Sequence, residues 1–208
     1  MRNTLTLVWK LLLICLIAGL VLGLVNQVTK DHIAALEVEA ANEARSAAFP
    51  GAAKFEELRK DTEKVHGFYS ALDESGNVLG YVASSREYGY GGDIEVVVGM
   101  DKAGKVVGCV VGQNTDFSET AGLGAKTKDP AFAQQFVGLE YKGETVNYSE
   151  GSGGYRIPKG TLSVIREASE GGAEPDAVSG ATYSSTAVIN AFNSVCRELY
   201  NLVKGGEN

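Results

Sequence analysis

From Leu11 to Val25 the chain carries no charge, and glycine is the only break in a run rich in leucine, isoleucine and valine. Flanked by Thr4–Trp9 and Asn26–Thr29 as interfacial segments, this run is long enough to cross a bilayer as a helix, with its backbone polar groups satisfied internally. The competing reading is a secretory signal peptide, which requires a small-x-small cleavage site after the apolar core. Gly23-Leu24-Val25-Asn26 is a poor one, and Leu12-Leu13-Ile14 is too bulky ahead of Cys15 for a lipoprotein signal. The run therefore reads as an uncleaved anchor. Arg2, Lys10 and the free amine precede it, whereas Lys30 and Asp31 follow it and nearly cancel. The positive-inside rule then places the N-terminus in the cytoplasm and the body of the chain outside.

Behind the anchor, residues 30–48 are rich in alanine and glutamate and lack proline and glycine, so they read as a helix continuing out of the membrane until Pro50-Gly51 ends it. Short alternating runs follow at Gly67–Leu72, Val78–Ser84, Ile94–Met100 and Val106–Gly112. Asp73-Glu74-Ser75-Gly76-Asn77 and Asp101-Lys102-Ala103-Gly104-Lys105 connect them in pairs as hairpin turns, which makes the sheet mostly antiparallel. Asp129–Val137 reads as a short helix with Pro130 at its first position, Tyr148–Gly160 as a glycine- and serine-rich loop, and Thr161–Arg166 as a further strand. In Tyr183–Val203, apolar residues at Val188, Ala191, Phe192, Val195, Leu199 and Leu202 recur at helical spacing, the mark of an amphipathic helix packed on the sheet. The expected architecture is α+β: an anchor at 1–29, a helical connector at 30–64, and a mostly antiparallel sheet domain with packed helices at 65–208.

Charge and cysteine content narrow the function classes. Three of the 19 basic residues and none of the 26 acidic ones lie in residues 1–30, which leaves the remainder with a balance of −10. An acidic body argues against nucleic acid as a partner and against flat adsorption on anionic lipid; lipid contact is expected through the span alone. Cys109 falls in a strand pattern and Cys196 in a helix pattern; they read as buried thiols, with a disulfide between them left open. His32 and His66 read as surface residues, and no Ser-His-Asp set, C-x-x-C pair, phosphate loop or dinucleotide fingerprint stands out. No metal ligand set is expected.

Three short segments carry the chemistry. Asp176-Ala177-Val178-Ser179-Gly180-Ala181-Thr182 stands immediately before the C-terminal helix. Small residues there let a bulky group approach the backbone, and a threonine hydroxyl at a helix mouth meets free N–H groups and a dipole that favour phosphate. The plain alternative is an ordinary helix cap. Phe117-Ser118-Glu119-Thr120-Ala121-Gly122-Leu123-Gly124 and Tyr88-Gly89-Tyr90-Gly91-Gly92-Asp93-Ile94 are, taken singly, glycine-rich turns.

Together, in this order, the three resemble the FMN-binding domain family over about residues 65 to 203. D-x-x-S-G-A-T is similar to the family's flavin acceptor site, the second segment to its E-T-P-G-L-G loop with Ala121 in place of proline, and the third to its G-Y-G-G-x-I segment. The resemblance implies one FMN per chain, joined through its phosphate to Thr182. It implies that Gly180 and Ala181 leave room for that phosphate, and that Ser179 and Ser185 donate hydrogen bonds to it. Glu119 and Thr120 would offer polar contacts, Leu123 and Gly124 would lie against the isoalloxazine, and Tyr90 with Gly91 would form another wall. Asp176 suits a structural cap, or a contact for the attaching enzyme, better than a phosphate contact. Arg166 is a candidate cation for the flavin's electron-rich edge. The histidine frequent ahead of the second segment is replaced by Thr115 or Asp116, so no such role carries over.

With the anchor and the chain length, the resemblance extends to the G subunits of Rnf electron-transport complexes; the related C subunit of the sodium-pumping NADH:quinone oxidoreductase is usually longer and is the lesser match. It implies a membrane-anchored electron carrier working with the other subunits of a complex that couples ferredoxin:NAD electron transfer to Na+ or H+ translocation, and matured by a flavin transferase using FAD and magnesium. The other readings are a standalone anchored flavoprotein passing electrons to extracellular acceptors, and a colourless sensory domain on the same scaffold.

Overall fold

The computed structural model describes residues 2–59, 61–113, 116–141 and 177–205, and the chain divides into two compact units, Met1–Glu39 and Ala40–Asn208. The expected loop at Tyr148–Gly160, the expected strand at Thr161–Arg166, and Thr115, Arg166 and Asp176 lie outside the described residues.

The first unit is helical throughout its described part. It belongs to α1 (Arg2–Ala48), which holds beyond Leu7 a stretch apolar and long enough to cross a membrane. Trp9, Leu12, Ile17, Leu20 and Val28 are all exposed, so the hydrophobic effect that drives such side chains out of water is not met by protein packing here.

The second unit is built on a five-stranded sheet: β1 (Lys54–Arg59), β2 (Val65–Leu72), β3 (Val78–Tyr88), β4 (Asp93–Asp101) and β5 (Val106–Val111), each antiparallel to the next in chain order. The two expected hairpins close by one device. Asp73 Oδ1 accepts the Ser75 and Asn77 N–H groups at 2.8 Å each, and Asp101 Oδ1 accepts those of Ala103 and Lys105 at 2.9 Å each, the side chain standing in for a backbone acceptor in the turn. The Asn77 side-chain amide on Asp73 is the main reason its carboxyl lies below the usual aspartate value.

Strand alternation gives the sheet two buried faces. A short helix, α2 (Pro130–Ala133), and the 3-10 turn Gln134–Phe136 lie in the core of one face. The same face carries Phe68, Ala83, Val96, Val98 and Met100 against α3 (Thr182–Gly205), which lies across β3 and β4. Phe136 packs at 4.7 Å, its ring tilted by 43°, against Phe192, which is fully buried on α3. Cys109 and Cys196 are free thiols in this core, and burial pushes both well above the ordinary cysteine value. The opposite face carries Ala71, Val82 and Val97 against Ala44, Ala48 and Phe49 at the end of α1. A Cβ on Gly99 would collide with the Ala48 carbonyl oxygen, so only glycine allows so close an approach. Arg45 lies 4.1 Å from the centre of the Tyr69 ring, a cation–π contact on the same face.

The architecture is the α+β arrangement expected, with two differences. The segment 30–64 is helical only to Ala48; Lys54–Arg59 pairs with β2, so the sheet begins ahead of residue 65. The helix expected over Asp129–Val137 is divided into one α turn and one 3-10 turn.

Candidate functional site

α3 starts at Thr182, and the turn before it is closed by the Ala181 N–H donating to the Val178 carbonyl at 3.0 Å. The Ala181 carbonyl accepts the first helical bond, from the Ser185 N–H at 2.9 Å. Ala181 thus holds the position where serine, threonine or aspartate commonly caps a helix, and its methyl group cannot accept a hydrogen bond. The Ala181 side chain therefore caps none of the first N–H groups at the positive end of this long helix, beside Thr182.

This helix start, the segment Glu119–Gly124 and the β3–β4 connection surround a cavity of about 730 Å³. Of the expected site residues, Tyr90, Glu119, Thr120, Leu123, Gly124, Gly180, Ala181 and Thr182 all line it, although nearly a hundred residues of chain separate the first from the last. Three do not. Ser185 is buried and its hydroxyl accepts the Val178 N–H at 3.0 Å, which ties down the turn and turns the side chain away from the cavity. Ser179 is exposed and outside the lining. Gly91 stands behind the wall, donating its N–H to Glu119 at 3.1 Å.

Glu119 joins the three segments. Its Oε1 accepts the Tyr90 N–H at 2.7 Å as well as that of Gly91, and its Oε2 accepts the Ser184 hydroxyl at 2.7 Å. A Cβ on Gly89 would collide with Oε1, and one on Gly124 with Oε2. Both glycines are therefore needed to seat the carboxylate, and hydrogen bonds to a charged acceptor are the stronger kind.

The lining also includes Glu87, Tyr88, Tyr183, Ser184, Thr186, Ala187 and Asn190, none of them among the expected residues. Helical spacing was the available signal: Thr182, Thr186 and Asn190 follow one another at intervals of four and share a face of α3. Tyr88, Tyr90 and Tyr183 are more than 70 % exposed and so form the rim, while Leu123 is half-exposed beside them. Among the described lining residues there is no lysine or arginine; the charged members are Glu87 and Glu119.

An α+β domain with a mixed hydroxyl and aromatic cavity at a helix N-terminus is a ligand-binding domain, and the cavity lies in the size range of small-molecule and cofactor sites, roughly 300–1,000 Å³. The FMN-binding domain family matches residues 89–197, more than half of the chain, and the chain belongs to that family. It is similar to the G subunit of an ion-translocating oxidoreductase complex of Methanosarcina acetivorans, 32 % identical over 190 residues and covering 88 % of each chain. The G subunit of a Na(+)-translocating ferredoxin:NAD(+) oxidoreductase complex of Acetobacterium woodii is 30 % identical over 207 residues, covering 93 % of this chain and 90 % of the relative. Among solved structures, NqrC of Shewanella oneidensis matches with a TM-score of 0.47 and 21 % identity, over 78 % of this chain and 74 % of that one.

Proposed function

We propose that this chain is a membrane-anchored subunit of an Rnf-type ion-translocating oxidoreductase complex, carrying one FMN esterified through its phosphate to Thr182 and relaying electrons between other redox centres. The observation that carries the reading is the position of Thr182: it is the first residue of α3 and lines the cavity that the other two segments complete. Subunits of this kind among the relatives, aligned over most of both chains, support the placement in a complex.

The residues fit the group. Bound FMN supplies a ring that takes up and releases electrons; the chain's part is to hold, orient and shield it. Gly180 and Ala181 keep bulk away from a phosphate, and the N–H groups and dipole of the first helical turn favour its charge. Leu123 and the rim tyrosines offer apolar and aromatic faces to a flat ring, and Thr186 and Asn190 continue the polar stripe of α3 away from the anchor. A covalent bond through the phosphate would retain the group at the mouth of α3. In maturation a flavin transferase with magnesium would join the Thr182 oxygen to the flavin-side phosphorus of FAD, with AMP leaving. Thr182 is in this account an acceptor rather than a catalyst.

The proposal also takes residues 1–29 as the anchor, 30–64 as a connector that contributes β1 to the sheet, and 65–208 as the rest of the flavin domain, placed outside the cytoplasmic membrane. Outside the cell a lost cofactor meets no pool to replace it, which gives covalent attachment a physical purpose. The test is to mature the full chain with the transferase, denature it in acid and separate protein from small molecules. Yellow colour that stays with the protein is the expected result; colour that leaves with the supernatant contradicts it.

A further inference from the structure

We infer that Glu119 sets the reduction potential of the flavin as well as the shape of its pocket: its carboxylate, fixed in the cavity wall, opposes electron uptake. The inference rests on the reading of the cavity as a flavin site.

The carboxylate is only 9 % exposed, yet it lines the cavity. Its hydrogen-bond partners among the described residues are two backbone N–H groups and the Ser184 hydroxyl, dipoles that satisfy the oxygens without cancelling the net charge. The other acid in the lining differs: Glu87 has Lys64 at 3.7 Å. Three hydrogen bonds hold the carboxylate in place, with Gly89 and Gly124 packed close to its two oxygens. A fixed negative charge in a poorly solvated wall raises the energy of any electron added beside it, and charge near the ring is one of the means by which a protein tunes a flavin. A neutral hydrogen-bonding side chain would have served to join the three segments; a carboxylate adds an electrostatic bias.

Glu119→Gln separates charge from shape. Its amide oxygen can accept the Tyr90 and Gly91 N–H groups and its amide nitrogen can donate to the Ser184 oxygen. The matured full-length variant should keep the flavin adduct by intact mass, melt close to the wild-type temperature, and show a flavin midpoint potential shifted in the positive direction. Ser184→Ala loosens the same clamp but retains the charge, so its potential should move less. An unchanged or more negative potential in Glu119→Gln overturns the inference, as does an equal shift in both variants. A Glu119→Gln chain that melts far below wild type, or folds without taking flavin, overturns it too, by making the carboxylate a structural or loading requirement. A wild-type chain without flavin fails earlier and removes the flavin reading itself.

Discussion

The two ends of α3 are built on one helical period and put to different uses. From Val188 onward the helix buries Val188, Ala191, Phe192, Val195 and Leu199 completely against the sheet. Its first turns bury little large apolar surface and present Thr182 and Thr186 to the cavity, a stripe that Asn190 continues on the face opposite the buried residues. The difference shows how one element combines stability with a polar site: the apolar half fixes the axis, and the fixed axis then aims hydroxyl and amide groups that contribute little to folding. Substitutions in the two halves should therefore fail in different ways, the first half in the site and the second in the fold.

The most severe test of that division is Thr182→Ala. It should abolish the flavin adduct while leaving circular dichroism and melting nearly unchanged; flavin retained through denaturation in this variant would remove Thr182 as the anchor. Phe192→Ala in the other half should lower stability by about 3–5 kcal/mol, the usual cost of a vacated aromatic core position, read by denaturant titration, with the adduct still formed on the folded fraction. Asn190→Ala should keep both adduct and stability and shift the visible absorption bands of the flavin; a spectrum identical to wild type would confine the functional stripe to the first turns. The smallest effect belongs to neither half. Asp73→Ala removes the hairpin acceptor and should lower the melting temperature slightly at neutral pH. The folded-state value of Asp73 is depressed, so its contribution is complete above the unfolded value and is lost as pH falls through the folded one. The gap between variant and wild type should close on acidification below about 3.8; a gap independent of pH would mean that the charge of Asp73 is not what stabilises the turn.

What was legible in the sequence follows the same division. The apolar half of α3, the two Asp-led hairpins and the long helix through Ala48 carry strong periodicity or turn chemistry, and each lies where it was expected. β1 was not legible because Lys54-Phe55-Glu56-Glu57-Leu58-Arg59 is mostly charged, as suits an edge strand protected against further pairing. In the site, motif reasoning brought together residues of the right neighbourhood but could not set their orientation. Ser185 was expected to face a phosphate and instead bonds the Val178 N–H, while Ser184, one position earlier, faces the cavity; the helical phase that decides between them is fixed by Val188 and Phe192 packing on the sheet. Glu119 was expected to contact the cofactor, and its oxygens are occupied by Tyr90, Gly91 and Ser184. That role depends on two loops meeting at long range, which no local pattern encodes.

The chemical state of the Thr182 hydroxyl decides whether this chain carries a covalent flavin. Mass spectrometry of the intact, transferase-matured chain, followed by peptide mapping, reads it directly. A gain equal to FMN less one water, on the peptide containing Thr182, is the predicted result. An unmodified chain, or the same gain carried by a different residue, would contradict it.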